Sequence, residues 1–139
     1  MYARILVCLD GNMDTDEHIL DHVAELAKVL GSEILLLRVA HYHTRDSRTA
    51  EQSEAQEYSE VAREYLRERG ATNARVVPAS GEPSETIIRV AEENHADLIA
   101  MSTHGHGFVY DTLFGSVSEQ VRHHTSLPVL MVRRPMEGS

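Results

Sequence analysis

The chain has no tryptophan, two phenylalanines, four prolines and one cysteine, Cys8, in 139 residues. A lone thiol closes no internal disulfide, which suits a reducing compartment. Basic residues are also scarce: 13 stand against 22 acidic ones, for a net charge of -9, and Lys28 is the only lysine. A surface of that sign repels a duplex phosphate backbone unless basic residues gather in a stripe, and the sequence shows none, so nucleic acid is not an expected partner. A small anion is still admissible, because a few backbone N–H groups hold a phosphate whatever the net charge. No apolar run approaches the ~20 residues that span a bilayer, so no membrane insertion is expected. Met1-Tyr2-Ala3-Arg4-Ile5 enters a strand pattern at once, without the parts of a signal peptide, and the expectation is a cytoplasmic protein. Two phosphate-binding devices are missing as well. Lys28 lies inside a helical stretch and supplies no P-loop lysine, and Asp10-Gly11-Asn12 stands where a dinucleotide fingerprint would place G-x-G-x-x-G.

What is present is an ordinary globular composition, 42% hydrophobic and 25% charged, in a length that suits one domain over residues 1–139. Arg4–Leu9 is short and apolar on both faces, a buried strand closed by Asp10-Gly11-Asn12. Ile19, Leu20, Val23, Leu26, Ala27 and Leu30 recur at helical spacing, and Gly31 is placed as the C-cap. Glu33–Val39 is a second two-sided strand, followed by a polar stretch over His41–Thr49 and a charged helix from about Ala50 to Arg69. Arg75–Ala79 reads as a weaker strand limited by Pro78, and Pro83 opens a helix buried through Ile87, Ile88, Val90 and Ala91. Leu98–Met101 is the fourth strand; a loop from Ser102 to Phe114 leads to a helix from about Ser116 to His124, and Val129–Val132 is the fifth strand. Alternating strands and helices, with strands apolar on both faces, predict an α/β fold: an open, doubly wound, five-stranded parallel sheet with helices on both faces, Rossmann-like, for which the order 3-2-1-4-5 is expected, with strands one and four neighbours at the reversal.

In such a sheet ligands bind beyond the carboxyl ends of the strands where the winding reverses. Asp10-Gly11 and Ser102-Thr103-His104-Gly105 wall that crevice, and glycine and small polar residues collect there. Gly105 and Gly107 let backbone approach a ligand closely. Gly115-Ser116 has two readings. It opens a helix whose unpaired N–H groups receive a phosphate, or Ser116 and Glu119 form an ordinary S-x-x-E capping box.

The stretches Ala96–Gly107, Leu113–Val121 and Pro128–Arg133, with Ile5–Gly11 and Gly81–Ile87, resemble the universal stress protein family over essentially the whole chain apart from the 41–49 insertion. Its ATP-binding members carry Gly-x-x-Gly, nine residues, then Gly-Ser or Gly-Thr. Here nine residues separate Gly105 from Gly115, Ser116 follows, and Ser102 replaces the first glycine. The resemblance implies that Asp10 and Val39 meet adenine, that Cys8 (where many relatives have proline) and Ser102 border the ribose, and that Gly105, Gly115, Ser116 and Val117 surround the phosphates. It also implies a homodimer, and the apolar fifth strand agrees, since an exposed hydrophobic sheet edge needs a cover.

Other histidines carry less. His104 is placed either to touch a phosphate or help a metal, or simply to be solvated. His41-Tyr42-His43 lacks an accompanying carboxylate or cysteine cluster, so no dedicated metal site is expected, and Mg or Mn would arrive with the phosphates. His123-His124 suit a helix C-terminus. The charges between Glu51 and Arg69 read as a solvated helix face with i,i+4 pairs. Nothing in the crevice pairs a nucleophile with a base, so the expected function is an ATP-binding regulatory homodimer with an unidentified protein partner. A nucleotide-free structural dimer, or a slow nucleotide hydrolase using His104, is the alternative. A receiver domain fits worse, because Ala79-Ser80 stands where its acceptor aspartate belongs.

Overall fold

The computed structural model describes residues 1–40, 48–103 and 112–133. Its elements are β1 (Arg4–Cys8), α1 (Met13–Leu30), β2 (Glu33–Leu37), α2 (Arg48–Glu68), β3 (Ala74–Val76), α3 (Pro83–Glu93), β4 (Leu98–Thr103), α4 (Thr112–His124) and β5 (Val129–Arg133). The strands form one parallel sheet in the expected order β3-β2-β1-β4-β5.

Strand side chains alternate between two cores. Ile5, Val7, Ile34, Leu36, Leu98 and Ala100 pack under α1 and α2, against Ile19, Leu20, Val23, Ala62 and Leu66. Leu6, Cys8, Leu35, Leu37, Ile99 and Met101 pack under α3 and α4, against Ile87, Val90, Val117 and Val121. Two covered faces explain why the strands read as unbroken apolar runs. The stripe of α1 ends sooner than its spacing predicts: Leu30 is 41% exposed. Gly31 caps that helix at φ 72 as expected, and Pro83 is the first residue of α3, with the Glu82 side chain accepting from the Ser84 and Glu85 amides.

In α2, Ala55, Ser59, Ala62 and Leu66 form the buried stripe, so a helix rich in charge packs through three small residues and one leucine. Its ion pairs Arg63–Glu60 and Arg67–Glu64 correct the expected spacing. Both join residues three apart, because each arginine folds back toward the preceding turn. Two tyrosines one heptad apart fasten α2 to α1: Tyr58 donates to Asp16, and Tyr65 donates to Asp21 at 2.8 Å.

The two ends of the sheet differ. At the amino end Asp97 accepts from the Ala3 and Arg4 amides, and Glu33 joins Arg4 to Arg75. The carboxyl end, beyond Cys8, Leu37 and Thr103, is where the winding reverses between β1 and β4.

Candidate functional site

After β1 the chain continues one residue in register, the Leu9 amide donating to Leu37 O at 2.8 Å, and then turns. Asn12 caps α1 and accepts from the Asp14 amide. The turn itself is held from inside the helix. The Asp16 carboxylate, 0% exposed, accepts from the Asp10 amide at 3.0 Å to both oxygens and from the Gly11 amide at 2.9 Å. The Tyr58 hydroxyl donates to the same carboxylate at 2.5 Å. Burial pushes the Asp16 carboxyl above its usual range, against the pull of the Tyr58, Asp10 and Gly11 hydrogen bonds and the Arg38 charge.

Arg38, just past β2, lays its guanidinium 5.4 Å from the centre of the Tyr58 ring. It also covers Gly11, where a Cβ would stand 2.5 Å from Arg38 Nε, and Gly11 has φ +97. Gly11→Ala is expected to cost about 1–2 kcal/mol, mostly from the left-handed backbone, because the arginine tip can swing aside. A shift in chemical denaturation midpoint at unchanged slope checks this.

Arg38 also borders a cleft of about 310 Å³ between the ends of β2 and β3 and the inner face of α2. Gln52, Gln56 and Ser59 line it on the helix side, Pro78 and Ser80 on the other.

The structure brings several of the expected site residues to this end of the sheet. Cys8, Val39 and Val117 share one apolar cluster with Met101, on the α3–α4 side of the sheet. Cys8 pairs in register with Met101, and burial, with a smaller contribution from the Asp16 charge, pushes its thiol up, so it stays neutral and unreactive. Asp10 lies on the turn that follows β1, two residues after Cys8. Ser102 is 2% exposed, and its Oγ has no hydrogen-bond partner among the described residues. His104, Gly105 and Gly107 lie outside the described residues, as do His41-Tyr42-His43.

Two boundaries correct the sequence reading. β4 runs through Ser102 to Thr103, so Ser102 is a strand residue and does not begin the loop. α4 begins at Thr112, so Gly115-Ser116 does not open the helix but lies one turn inside it. The apolar spacing Leu113, Val117, Val121 already extended upstream of Ser116, and a helix tolerates an internal glycine for about 1 kcal/mol. The capping-box reading falls with that boundary. Ser116 is an exposed internal residue, and Glu119 pairs with Arg122 at 3.3 Å and His123 at 3.4 Å instead of reaching back. His123 and His124 do occupy the last turn.

The sequence reading missed Asp16, Tyr58 and Arg38. A signal was available for the first: Asp16 lies in phase with Ile19, Leu20 and Val23, and an acid on the buried stripe needs a partner. Tyr58 and Arg38 had no such mark.

A parallel sheet whose winding reverses between β1 and β4, with a polar turn and a buried serine at that point, places the chain in the class of doubly wound α/β domains. A sequence model described as the universal stress protein family matches residues 1–133. The chain belongs to the universal stress protein family. It is similar to the universal stress protein YxiE of Bacillus subtilis, with 28% identity over 96% of this chain and 100% of the relative. A universal stress protein of Methanothermobacter thermautotrophicus is 30% identical over 96% of this chain and 97% of its own. Among solved structures, protein MJ0577 of Methanocaldococcus jannaschii superposes with a TM-score of 0.76, 29% identity and 99% coverage of both chains. A universal stress protein from Archaeoglobus fulgidus in complex with dAMP superposes with a TM-score of 0.69 at 25% identity, covering 94% of this chain and 98% of that one.

Proposed function

We propose that this chain is an ATP-binding regulatory protein of the stress response that works as a cytoplasmic homodimer. The observation that carries the nucleotide reading is the buried Ser102 hydroxyl at the carboxyl end of β4, without a partner among the described residues, beside the switch point. A buried unsatisfied hydroxyl costs about 1–3 kcal/mol, a cost that a ribose hydroxyl at this place would remove. The dAMP complex of the A. fulgidus relative supports an adenine nucleotide as the ligand.

In this reading Asp10 and Val39 meet the base, and Cys8 and Ser102 border the sugar. His104, Gly105, Gly107, Gly115, Ser116 and Val117 lie toward the phosphates. Because α4 starts ahead of Gly115, that glycine contributes closeness of approach and Ser116 a hydroxyl, in place of free helix-end amides. Among the described residues no group of three or more His, Cys, Asp or Glu is arranged to hold a metal, so Mg or Mn would be carried by the phosphates. No helix among the described residues is long and apolar enough to cross a membrane.

The test is to denature freshly purified protein and analyse what it releases, with calorimetric titration of emptied protein by Mg-ATP. Near-stoichiometric adenine nucleotide, or saturable binding, is the expected result. An empty protein that millimolar Mg-ATP neither stabilises nor titrates would overturn the proposal in favour of a nucleotide-free dimer. Sustained turnover lost in His104→Ala would instead make it a hydrolase. Within the same experiment Ser102→Gly, which restores the family's glycine, is expected to weaken ATP by about threefold to tenfold by removing one ribose hydrogen bond. Equal or tighter binding by that variant would remove the hydroxyl from the site.

A further inference from the structure

In nucleotide-binding α/β folds the turn between the first strand and first helix is a natural anion cradle, because successive amides converge beside the positive end of the helix. In this chain that cradle is occupied by the protein itself. The Asp10 and Gly11 amides both point at Asp16, which reaches back from the first turn of α1 past the Asn12 cap. Asp14 adds a second acid to the same helical turn. Asp16 is fully buried, and its fourth hydrogen bond comes from a different element, the Tyr58 hydroxyl of α2. Arg38 lies on the Tyr58 ring and over Gly11, closing the outer side of the turn.

We infer that Asp16 is a positioning and specificity residue: an internal anion that fills the phosphate cradle of the β1–α1 turn, so that this turn receives the nucleoside end of a ligand and rejects its phosphates, with Tyr58 holding Asp16 in place. The inference rests on the nucleotide reading above and adds a physical cause, residing in Asp16, for the ligand orientation given there. Two amides already bonded to a carboxylate have no donor left for a phosphate oxygen, and the carboxylate's charge offsets that of the Arg38 guanidinium beside Gly11, so the turn offers a second anion little net attraction. A phosphate chain is therefore sent across the crevice, toward the β4 side. The turn is also rigid: four hydrogen bonds to one side chain fix the Asp10 backbone and so the place from which its side chain meets the base.

Adenosine, ATP and inorganic phosphate, each titrated separately, test this against wild type, Asp16→Asn and Tyr58→Phe. Asp16→Asn keeps the size of the side chain but halves its acceptors. It is expected to weaken adenosine and ATP by the same factor, about tenfold, leaving their ratio unchanged, because both are held at the turn by the same end. Tyr58→Phe keeps the ring under Arg38 and is expected to weaken both by a smaller common factor. A merely structural role would not move the second readout, the amide resonances of Asp10 and Gly11 followed with inorganic phosphate. These are expected to stay still in wild type and to shift saturably in Asp16→Ala, where the cradle is vacated.

The inference is overturned if the wild-type amides respond to phosphate as the variant's do. It is equally overturned if Asp16→Asn and Tyr58→Phe leave adenosine binding unchanged, or if Asp16→Asn tightens ATP alone, which would place the phosphates beside Asp16. Wild type that binds neither adenosine nor ATP would overturn the nucleotide reading and the ligand orientation with it. The phosphate arm would then still report separately whether Asp16 blocks the cradle.

Discussion

Asp16→Ala is expected to destabilise the folded chain by about 3 kcal/mol, from leaving the Asp10 and Gly11 amides and the Tyr58 hydroxyl without their acceptor. The sign is not obvious, because burying an ionised carboxylate is itself costly. That cost is visible in the direction of the Asp16 shift: its proton is held more tightly in the folded state than in the unfolded chain, mainly through burial. Removing the acid relieves this penalty but leaves the donors unpaired, and at a site roofed by Arg38 and Tyr58 water regains only part of the loss. Asp16→Asn, which retains one good acceptor, is expected to cost roughly half as much. The pH dependence follows from linkage. A raised folded-state value means that the stabilisation supplied by protonated Asp16 is complete below its ordinary value of 3.8 and is lost as pH rises through the folded value. The margin of wild type over Asp16→Ala should therefore be widest in acid and narrow toward neutral pH. Denaturant titrations of both proteins at matched concentration between about pH 4 and 8 measure it. A margin that widens with pH would mean that the hydrogen bonds outweigh burial and that the carboxyl is shifted downward.

The same carboxylate shows where the sequence was legible and where it was not. Strand and helix identity depend on features that local sequence carries: two-sided apolar runs, a glycine after each of the first two helices, a proline at the start of the third. β1, β2, β4 and β5 follow from these, but β3 is only Ala74–Val76 with Arg75 exposed, where the pattern predicts Arg75–Ala79. The crevice follows too, since the carboxyl ends of β1 and β4 are fixed once the order is known. The Asp16–Tyr58 bond joins residues 42 positions apart on two helices, and no local pattern encodes it. Its tyrosine sits in a helix whose charges advertise solvent while its small residues, Ala55, Ser59 and Ala62, make the contact. The start of α4 misled for the opposite reason. Gly115-Ser116 followed by Glu119 imitates a helix start so well that it outweighed the apolar spacing running through it. Capping signals mark where a helix can begin; packing decides where it does.

Met131→Pro is expected to convert a dimer into a monomer while leaving the fold in place, and the reason lies in the direction of single N–H groups. β5 is a terminal strand of the sheet, and among the described residues no strand lies beyond it. The Ile99 amide donates to Pro128 O, so Pro128, and by alternation Leu130 and Val132, turn their backbone groups toward β4. Val129, Met131 and Arg133 must then turn theirs outward, which is the row that a second copy would pair with about a two-fold axis. β5 is also apolar over Val129–Val132, with both faces half-buried against the two cores, so its outward edge is the kind that a solitary chain has to cover. Proline at 131 deletes an outward donor and puts a ring in its place, without removing any bond to β4. The Met131 side chain is lost at the same time, so Met131→Ala is the control: it loses the packing, keeps the N–H, and is expected to remain dimeric. Light scattering after size exclusion at micromolar concentration distinguishes the three proteins, with circular dichroism to show that each is folded. A monomeric wild type would end the dimer proposal. A dimeric Met131→Pro would move the interface off β5 and leave the apolar edge unexplained, because a two-fold ladder through residues 129–133 depends on that donor and on the space the proline ring takes.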